Sequence, residues 1–243
     1  MKELITQYTP KFVKSAIKRC LQPHSFQMSQ AGQDLWVFGE VFNEKRGGYF
    51  LDLGAHDGIS ISNTYLLERK YHWTGICVEA NPDSFLQLRK NRRAICVHAC
   101  LDSTEGFVNF AKRDVMGGIV SGDTDNKDVT NKTEEVIRIE TKTLERVLIE
   151  NQAPSEIDYL SIDVEGAEHR VLGNFNFKKY RFKCITIERP PEPLQAIFKE
   201  NGYLLIKNIP GLDCFYLHES FADQYRTNLF AFYLKKRLTL RWR

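Results

Sequence analysis

Several features that mark other protein classes are missing from this sequence of 243 residues. It has no run of about 18 apolar residues, so no transmembrane helix is predicted, and its N-terminus lacks the apolar core of a signal peptide. Its six cysteines include no Cys-x-x-Cys pair, which argues against a zinc site or a disulfide framework. We therefore expect a cytoplasmic protein with free, mostly buried thiols, and its length suits one main core.

A strong overall charge is also missing, because the net charge is only +3. Residues 1–20 carry +4 and residues 235–243 carry +5, which leaves −6 for the 214 residues between them. A mildly acidic middle argues against a nucleic-acid groove across the domain, so no nucleic-acid partner is expected. We divide the chain into a basic N-terminal extension at 1–28, a main domain at 29–234 and a basic tail at 235–243.

The two basic ends each have two interpretations. Residues 11–20 have apolar positions at helical spacing with lysine and arginine between them, which predicts a basic amphipathic helix. That helix either docks on the domain or another subunit, or lies on a membrane surface. The tail at 235–243 is either a loose end or a contact with an anionic membrane or partner. Peripheral contact with the inner membrane face is one expectation, and the oligomeric state stays open.

A glycine-rich turn follows the first predicted strand. The apolar run Tyr49–Leu53 predicts a buried strand, and Gly54 and Gly58 bracket a sharp turn before a helix. Ligands of α/β sheets bind beyond the carboxyl ends of strands, next to such a turn. The Gly-x-x-x-Gly spacing differs from the Gly-x-Gly-x-x-Gly of dinucleotide sites. Asp52 adds a negative charge that suits the cationic S-adenosylmethionine better than a pyrophosphate.

The second predicted strand ends in an acid. Thr74–Glu79 is apolar up to Glu79, which lies roughly twenty residues beyond the turn. A carboxylate at that position can accept hydrogen bonds from both hydroxyls of a ribose. The alternative is an ordinary solvated glutamate at the end of a strand.

Seven blocks of this sequence form a recognisable series. They are Ser29-Gln30…Gln33-Asp34, Phe50-Leu51-Asp52-Leu53-Gly54-Ala55-His56-Asp57-Gly58, Ser62-Asn63-Thr64, Trp73-Thr74-Gly75, Glu79-Ala80-Asn81-Pro82, Asn91-Arg92 and Ile162-Asp163-Val164-Glu165-Gly166-Ala167-Glu168. In this order, the blocks resemble motifs of the FkbM family of methyltransferases. The resemblance runs from about Ser29 to about Phe232, which is nearly the whole chain.

The resemblance implies an α/β, Rossmann-like class I methyltransferase fold with a seven-stranded, mostly parallel sheet and helices on both faces. Its last strand is antiparallel, and we assign that strand to residues 228–234. The implied cofactor is S-adenosyl-L-methionine, and the implied reaction is O-methylation of a hydroxyl. Residues that the resemblance brings to the cofactor are Asp52, Gly54, Ala55, His56, Gly58, Asn63, Glu79, Ala80, Asp102 and Asp163, while Gln30, Gln33 and Asp34 would lie over the pocket.

A cluster of acids with one histidine follows the predicted fourth strand, and a further acid ends the fifth. Because neighbouring strands end at one edge of a sheet, we expect Asp163 and Glu188 to face the same crevice. A solvated helix start explains the later acids, but it explains Asp163 less well, because the preceding strand should bury it. The cluster consists of Asp163, Glu165, Glu168, His169 and Glu188.

Two chemical roles fit this cluster. Asp163, Glu165 or His169 could act as general base toward an acceptor hydroxyl, with neighbouring acids raising the pKa of a carboxylate. Alternatively, Asp163 and Glu188 hold a divalent cation, Mg²⁺ or Mn²⁺, that polarises the hydroxyl. We favour the metal-free route, because the sequence supplies only two well-placed ligands.

Motifs that are missing from the sequence narrow the chemical class of the acceptor molecule. No Asn/Asp-Pro-Pro-Tyr/Phe follows strand four, as methylation of exocyclic base amines would need, and Cys184 begins strand five, so a cysteine-dependent base mechanism lacks support. Residues 112–135 are polar and aperiodic, which predicts an acceptor-side loop in which Ser121 contacts substrate. We predict a sugar hydroxyl in a surface glycan or glycolipid, with a polyketide-type small molecule as the alternative. A nicotinamide-dependent oxidoreductase and a non-catalytic nucleotide-binding protein are the alternatives from other classes.

Overall fold

The computed structural model of the chain describes residues 28–130, 132 and 134–240, with the backbone alone for 236–240. The amphipathic helix predicted at 11–20 lies outside these residues, as does most of the extension at 1–28. The five cysteines within them are free, four buried and one half-buried, which confirms the predicted thiols for this part of the chain.

A seven-stranded sheet forms the centre of the molecule. Its strand order is β10-β11-β9-β8-β1-β2-β3, in which β11 runs antiparallel to its neighbours and the rest are parallel to one another. The predicted mostly parallel, seven-stranded sheet is therefore confirmed. The strands are β1 (Tyr49–Leu53), β2 (Thr74–Glu79), β3 (Ile95–His98), β8 (Glu156–Ile162), β9 (Arg181–Glu188), β10 (Tyr203–Asn208) and β11 (Asp213–His218).

The central strands are apolar because both faces of the sheet are covered. Along β1, Leu51 packs with the helices on one face and Phe50 with those on the other, and both are fully buried. Helices α4 to α6 cover the first face, and α1 to α3 the second. The helices are α1 (Gln33–Leu35, continued by a π-helix at Trp36–Val41), α2 (Tyr65–Tyr71), α3 (Pro82–Asn91), α4 (Leu144–Glu150), α5 (Glu168–Leu172), α6 (Glu192–Glu200) and α7 (Ala222–Leu240).

A second, four-stranded sheet occupies the region between β3 and α4. Its order is β4-β7-β5-β6, with β5 antiparallel to both of its neighbours. The loop predicted at 112–135 contains a 3₁₀ turn at Asp114–Met116 and the short strand β6. The strands of this sheet are β4 (Cys100–Leu101), β5 (Gly106–Ala111), β6 (Gly118–Ile119) and β7 (Val136–Lys142).

The last strand of the main sheet was assigned wrongly from the sequence. Residues 228–234 are helical, inside α7, and the antiparallel strand is β11 at 213–218. The helix forms here because its residues fit the π-helix: the Phe232 ring fills the space beside Gly39, and Asn228 Nδ2 donates to the Val41 carbonyl over 2.6 Å. The predicted boundary between domain and tail at 234 falls inside α7. No helix in the described part of the chain is long and apolar enough to cross a membrane.

Candidate active site

A cleft opens where β1, β2 and β8 end. It encloses about 560 Å³, a figure that includes space open to solvent. Strand β6 and the neighbouring 3₁₀ turn form its opposite wall. The lining residues are Gly54, His56, Val78, Glu79, Ala80, Ala99, Cys100, Leu101, Phe110, Asp114, Val115, Gly117, Gly118, Ile119, Asp163, Val164, Glu165 and Ala167.

Gly54 allows the first turn to approach the end of β8. Its φ of +82° lies in the left-handed region, and a Cβ there would be 1.8 Å from the Asp163 carbonyl oxygen. The Gly54 amide donates to the carbonyl of Val78 on β2 over 3.0 Å. A side chain at this position would therefore push β1 and β8 apart, so only glycine fits.

Glu79 lies at the cleft with both carboxylate oxygens hydrogen-bonded to backbone. Oε2 accepts from the His56 amide and Oε1 from the Asn81 amide, each over 2.7 Å. Glu79 is buried, and that burial raises its pKa. These two bonds fix the carboxylate at the cleft and leave it lone pairs for further donors, and its contact with a ribose stays a prediction.

Buried polar atoms without partners surround the Gly54 turn. His56 Nδ1 and Asp163 Oδ1, on two residues that line the cleft, are inaccessible to solvent and find no hydrogen-bond partner among the described residues. Such atoms are costly unless a ligand satisfies them. The ammonium, sulfonium and ribose hydroxyls of S-adenosylmethionine would supply positive charge and donors to this set, so the residues present fit the predicted cofactor.

An acidic cluster stands on the next strands of the same edge. Asp163 follows β8 and Glu188 ends β9, and one carboxylate oxygen from each lies within 4.8 Å of the other and of Glu168. Burial and the negative charges of Glu188 and Glu165 raise the pKa of Asp163 well above its usual range. Burial, with Glu188 nearby, raises the pKa of Glu165 and of Glu168 to about 7.

The positive charge near this cluster comes from the rim. Arg189 Nη2 lies 2.6 Å from Asp125, 2.9 Å from Glu188 and 3.9 Å from Glu165. Its side chain is 47% exposed, so water screens it and the acids behind it keep their raised pKa. The predicted neighbourhood of Asp163 and Glu188 is thus found, with Glu168 as a third carboxylate.

Other predicted cofactor residues lie behind the turn instead of in the cleft. Asp52 is buried, its carboxylate accepts from Thr64 Oγ1 over 2.5 Å, and burial raises its pKa. Asn63 donates from Nδ2 to Ser161 Oγ over 2.9 Å. Ala55 and Gly58 shape the turn, joined by a 2.9 Å hydrogen bond from the Gly58 amide to the Ala55 carbonyl. None of these four lines the cleft.

Asp102 and His169 are also not brought to the cleft. Both oxygens of Asp102 accept from Arg170, over 2.9 and 2.7 Å, so its contact with adenine stays a prediction. His169 is exposed on α5, next to Glu168, which is buried. Ser121 donates to Asp123 over 2.5 Å outside the cleft.

The Ser-Gln…Gln-Asp block ahead of α1 makes structural contacts. Gln33 Nε2 donates to Asp213 Oδ2 over 2.8 Å, and Asp34 accepts from the Met28 amide over 3.0 Å. Gln33 and Asp34 are buried, whereas Gln30 is exposed, and none of the three lines the cleft.

The sequence reasoning placed residues 112–135 on the acceptor side, but it missed that they contain a strand, β6, which forms part of the cleft wall. His56 Nε2 lies 2.9 Å from Asp114 Oδ1, across the mouth of the cleft. Gly118 faces Glu165, whose Cβ would be 3.1 Å from a Cβ at 118. The paired glycines at 117 and 118 were the available signal, because close approach of backbone to a site requires them.

Solved methyltransferase structures resemble this fold at low sequence identity. The METTL16 methyltransferase domain superposes with a TM-score of 0.44 at 12% identity, over 76% of this chain and 66% of that one, just under two thirds of its length. Human methyltransferase 10 domain containing protein gives 0.43 at 12% identity, over 76% and 80%. A methyltransferase from Pyrococcus furiosus gives 0.38 at 15% identity, over 85% and 95%. Similarities this distant support no conclusion about activity, and no curated protein matches the sequence.

The family model described as the methyltransferase FkbM domain matches residues 52–205, well over half of the chain. That range contains the Gly54 turn, Glu79 and the acids from Asp163 to Glu188. The chain therefore belongs to the FkbM family of S-adenosylmethionine-dependent methyltransferases.

Proposed function

We propose that the enzyme is an O-methyltransferase that acts on a hydroxyl of a sugar in a surface glycan or glycolipid. The observation that carries the proposal is Glu165, which lines the same cleft as Gly54 and Glu79 and has its pKa raised to about 7. A carboxylate with a pKa near the working pH is suited to accept a proton from an acceptor hydroxyl.

S-adenosylmethionine supplies a methyl group bound to a positively charged sulfur, so the chain has to orient the acceptor and remove its proton. With the cofactor bound, the acceptor oxygen would bond to the methyl carbon while the carbon–sulfur bond would break and leave its electron pair on sulfur. Glu165 takes the hydroxyl proton. Asp163, which the raised pKa keeps protonated at neutral pH, donates a hydrogen bond that holds the acceptor oxygen.

The acceptor side of the cleft is polar. Asp114 and Glu165 line it, and Arg189 Nη2 lies 3.9 Å from Glu165; carboxylates and a guanidinium are suited to hydrogen-bond several hydroxyls at once. This supports a sugar over a polyketide-type small molecule, which remains the alternative acceptor.

A metal-assisted route is the second candidate mechanism. Asp163, Glu168 and Glu188 offer three carboxylate oxygens within 4.8 Å of one another, one more ligand than the sequence suggested. Mg²⁺ or Mn²⁺ prefers such oxygen ligands and would polarise the acceptor hydroxyl there.

The cofactor is tested first by thermal unfolding with excess S-adenosylhomocysteine, with NADH as the control. At about a hundredfold excess over the Kd, binding adds about 2.7 kcal/mol, or roughly 5–10 °C for a chain of this size. A shift with NADH instead would favour the oxidoreductase, and no shift with either would favour a non-catalytic role.

The reaction is tested with methyl-deuterated S-adenosylmethionine over a panel of free sugars, glycolipids and polyketides, with and without EDTA. We expect a label on a sugar oxygen that EDTA does not prevent, and Glu165→Gln should lower kcat about a hundredfold. Glu192→Gln, an exposed glutamate on α6, is the matched control. Label on nitrogen or carbon, or full activity of Glu165→Gln, would contradict the proposal; loss with EDTA would establish the metal route.

A further inference from the structure

Arg189, which directly follows β9, shares its side chain among three carboxylates. Its Nη2 atom donates to Asp125 Oδ2 over 2.6 Å and to Glu188 Oε2 over 2.9 Å. Glu165 Oε2 lies 3.9 Å from the same nitrogen. Because this nitrogen carries two hydrogens, the first two carboxylates use both of them, and Glu165 adds electrostatic attraction. One positive group thus serves all three acids.

These three acids have the spacing of a metal site. One carboxylate oxygen from each of Asp125, Glu165 and Glu188 lies within 4.8 Å of the other two. Opposite oxygen ligands of a divalent ion are about 4–5 Å apart, because metal–oxygen distances are about 2.0–2.6 Å. The three side chains could therefore surround such an ion, but the guanidinium of Arg189 already contacts the same three carboxylates.

The backbone holds Arg189 and Asp125 in place on the two sides of this contact. The φ of Arg189 is +36°, in the left-handed region where residues with a side chain are uncommon. Its amide donates to the Leu212 carbonyl over 3.0 Å, while the Asp125 amide donates to the Glu165 carbonyl over 3.1 Å. Such backbone strain persists only where the surrounding structure fixes it, and it is concentrated at functional sites.

We propose that Arg189 takes the place of a divalent cation among Asp125, Glu165 and Glu188 and thereby keeps such an ion away from these acids. Its guanidinium engages their oxygens and repels a second positive charge. Glu165 then stays free of metal and available to accept a proton. That last consequence rests on the proposed function of Glu165, whereas the exclusion of the ion does not.

An ordinary surface ion pair is the alternative, and the chain offers a matched example of one. Arg146 on α4 is 54% exposed and is shared by Glu150, at 2.6 Å, and Glu105, at 3.5 Å. Within the described residues, neither of these two acids belongs to a group of three that could hold an ion. Arg146→Ala therefore removes a similarly exposed, shared arginine without opening a cation site.

The test is binding of Mn²⁺ alone to the full-length chain, measured by electron paramagnetic resonance and isothermal titration calorimetry. For Arg189→Ala we expect a Kd on the order of 10⁻⁴ M, which suits three carboxylates with water as the remaining ligands. The unmutated chain and Arg146→Ala should both bind Mn²⁺ at least about tenfold more weakly, because the positive charge or the missing third acid prevents binding.

Two double variants show which acids hold the ion. Asp125→Asn added to Arg189→Ala should abolish the gained binding, because Asp125 belongs only to this group. Glu168→Gln added instead should leave it, because Glu168 belongs only to the neighbouring group with Asp163 and Glu188. Equal Tm values check that the variants are folded.

Three results would overturn the proposal. The first is an unmutated chain that binds Mn²⁺ with the affinity expected of Arg189→Ala, a result that requires no variant to fold. The second is a folded Arg189→Ala chain that gains no binding. The third is binding that Glu168→Gln removes and Asp125→Asn leaves, which would place the ion in the neighbouring group.

Discussion

Two groups of carboxylates stand at the same edge of the main sheet and differ in what balances their charge. Behind the turn, Asp52 and Glu68 enclose Arg92, whose side chain is 0% exposed. In front of it, Asp163 and its neighbours have a cation only at the rim, where Arg189 is 47% exposed. Asp52 lies on β1, and Asp163 directly follows the adjacent strand β8.

Because Asp52 and Glu68, the rear group, enclose Arg92, their role is structural. Arg92 Nε donates to Glu68 over 2.9 Å, Nη2 to Thr64 over 2.8 Å and Nη1 to the Gly58 carbonyl over 3.2 Å. These bonds tie helix α3 to the glycine-rich turn. The front group, which is Asp163 with its neighbouring carboxylates, has no enclosed cation to balance it. This is a cost to folding that active sites commonly bear.

The largest effect should follow from removing the rear cation. Arg92→Met leaves Asp52 and Glu68 buried without a partner, and we expect the free energy of unfolding to fall by about 3–5 kcal/mol. Urea unfolding measures it, with Arg89→Met as the control, since Arg89 is an exposed arginine on α3, which ends one residue before Arg92. A loss no larger than the control's would show that the rear group is not structural.

Neutralising a carboxyl of the front group should raise the free energy of unfolding instead of lowering it. Asp163→Asn removes a carboxyl that must bind a proton on folding, so the free energy of unfolding at pH 7 should rise by about 1–3 kcal/mol. Turnover should fall at least about tenfold, because the amide changes the acceptor contact. Destabilisation by this change would place Asp163 with the rear group instead.

The front group should also make stability depend on pH. Glu168 has its pKa raised from 4.5 to about 7, so the folded state binds a proton that the unfolded state releases. Its favourable contribution is complete below about pH 4.5 and is lost as pH rises through about 7. Relative to wild type, Glu168→Gln should therefore gain on the order of 2 kcal/mol between those pH values. A flat difference in urea unfolding across this window would contradict the assignment.

The smallest effect should come from His169. Its side chain is exposed on α5 and does not line the cleft, so His169→Ala should leave the methylation rate within about twofold. Initial rates under saturating cofactor measure this. A loss of tenfold or more would return His169 to the predicted role of base.

The sequence was sufficient to predict which residues lie at the ends of the parallel strands. Gly54, Glu79, Asp163 and Glu188 could all be placed at one edge, because parallel strands end together. It was insufficient where neighbours on a helix diverge: Glu168 faces the cluster and His169 faces solvent, since consecutive helical residues point about 100° apart.

Contacts between residues far apart in the sequence were the other feature that could not be predicted. The contact between Arg92 and Asp52 joins residues forty positions apart, and no local pattern reveals it. The segment at 228–234 is apolar enough for a strand, and its contacts with the π-helix, Phe232 beside Gly39 and Asn228 at the Val41 carbonyl, select the helix.

The second sheet has a consequence for engineering. The chain leaves the main fold at Asp102 and returns at Lys142, and the Asp102 amide donates to the Lys142 carbonyl over 3.1 Å. The segment between these two residues therefore begins and ends at one hydrogen bond. It also supplies the wall of the cleft opposite Glu165. We expect this closed segment to be exchangeable as a cassette between family members, and such an exchange would test whether the segment carries acceptor preference.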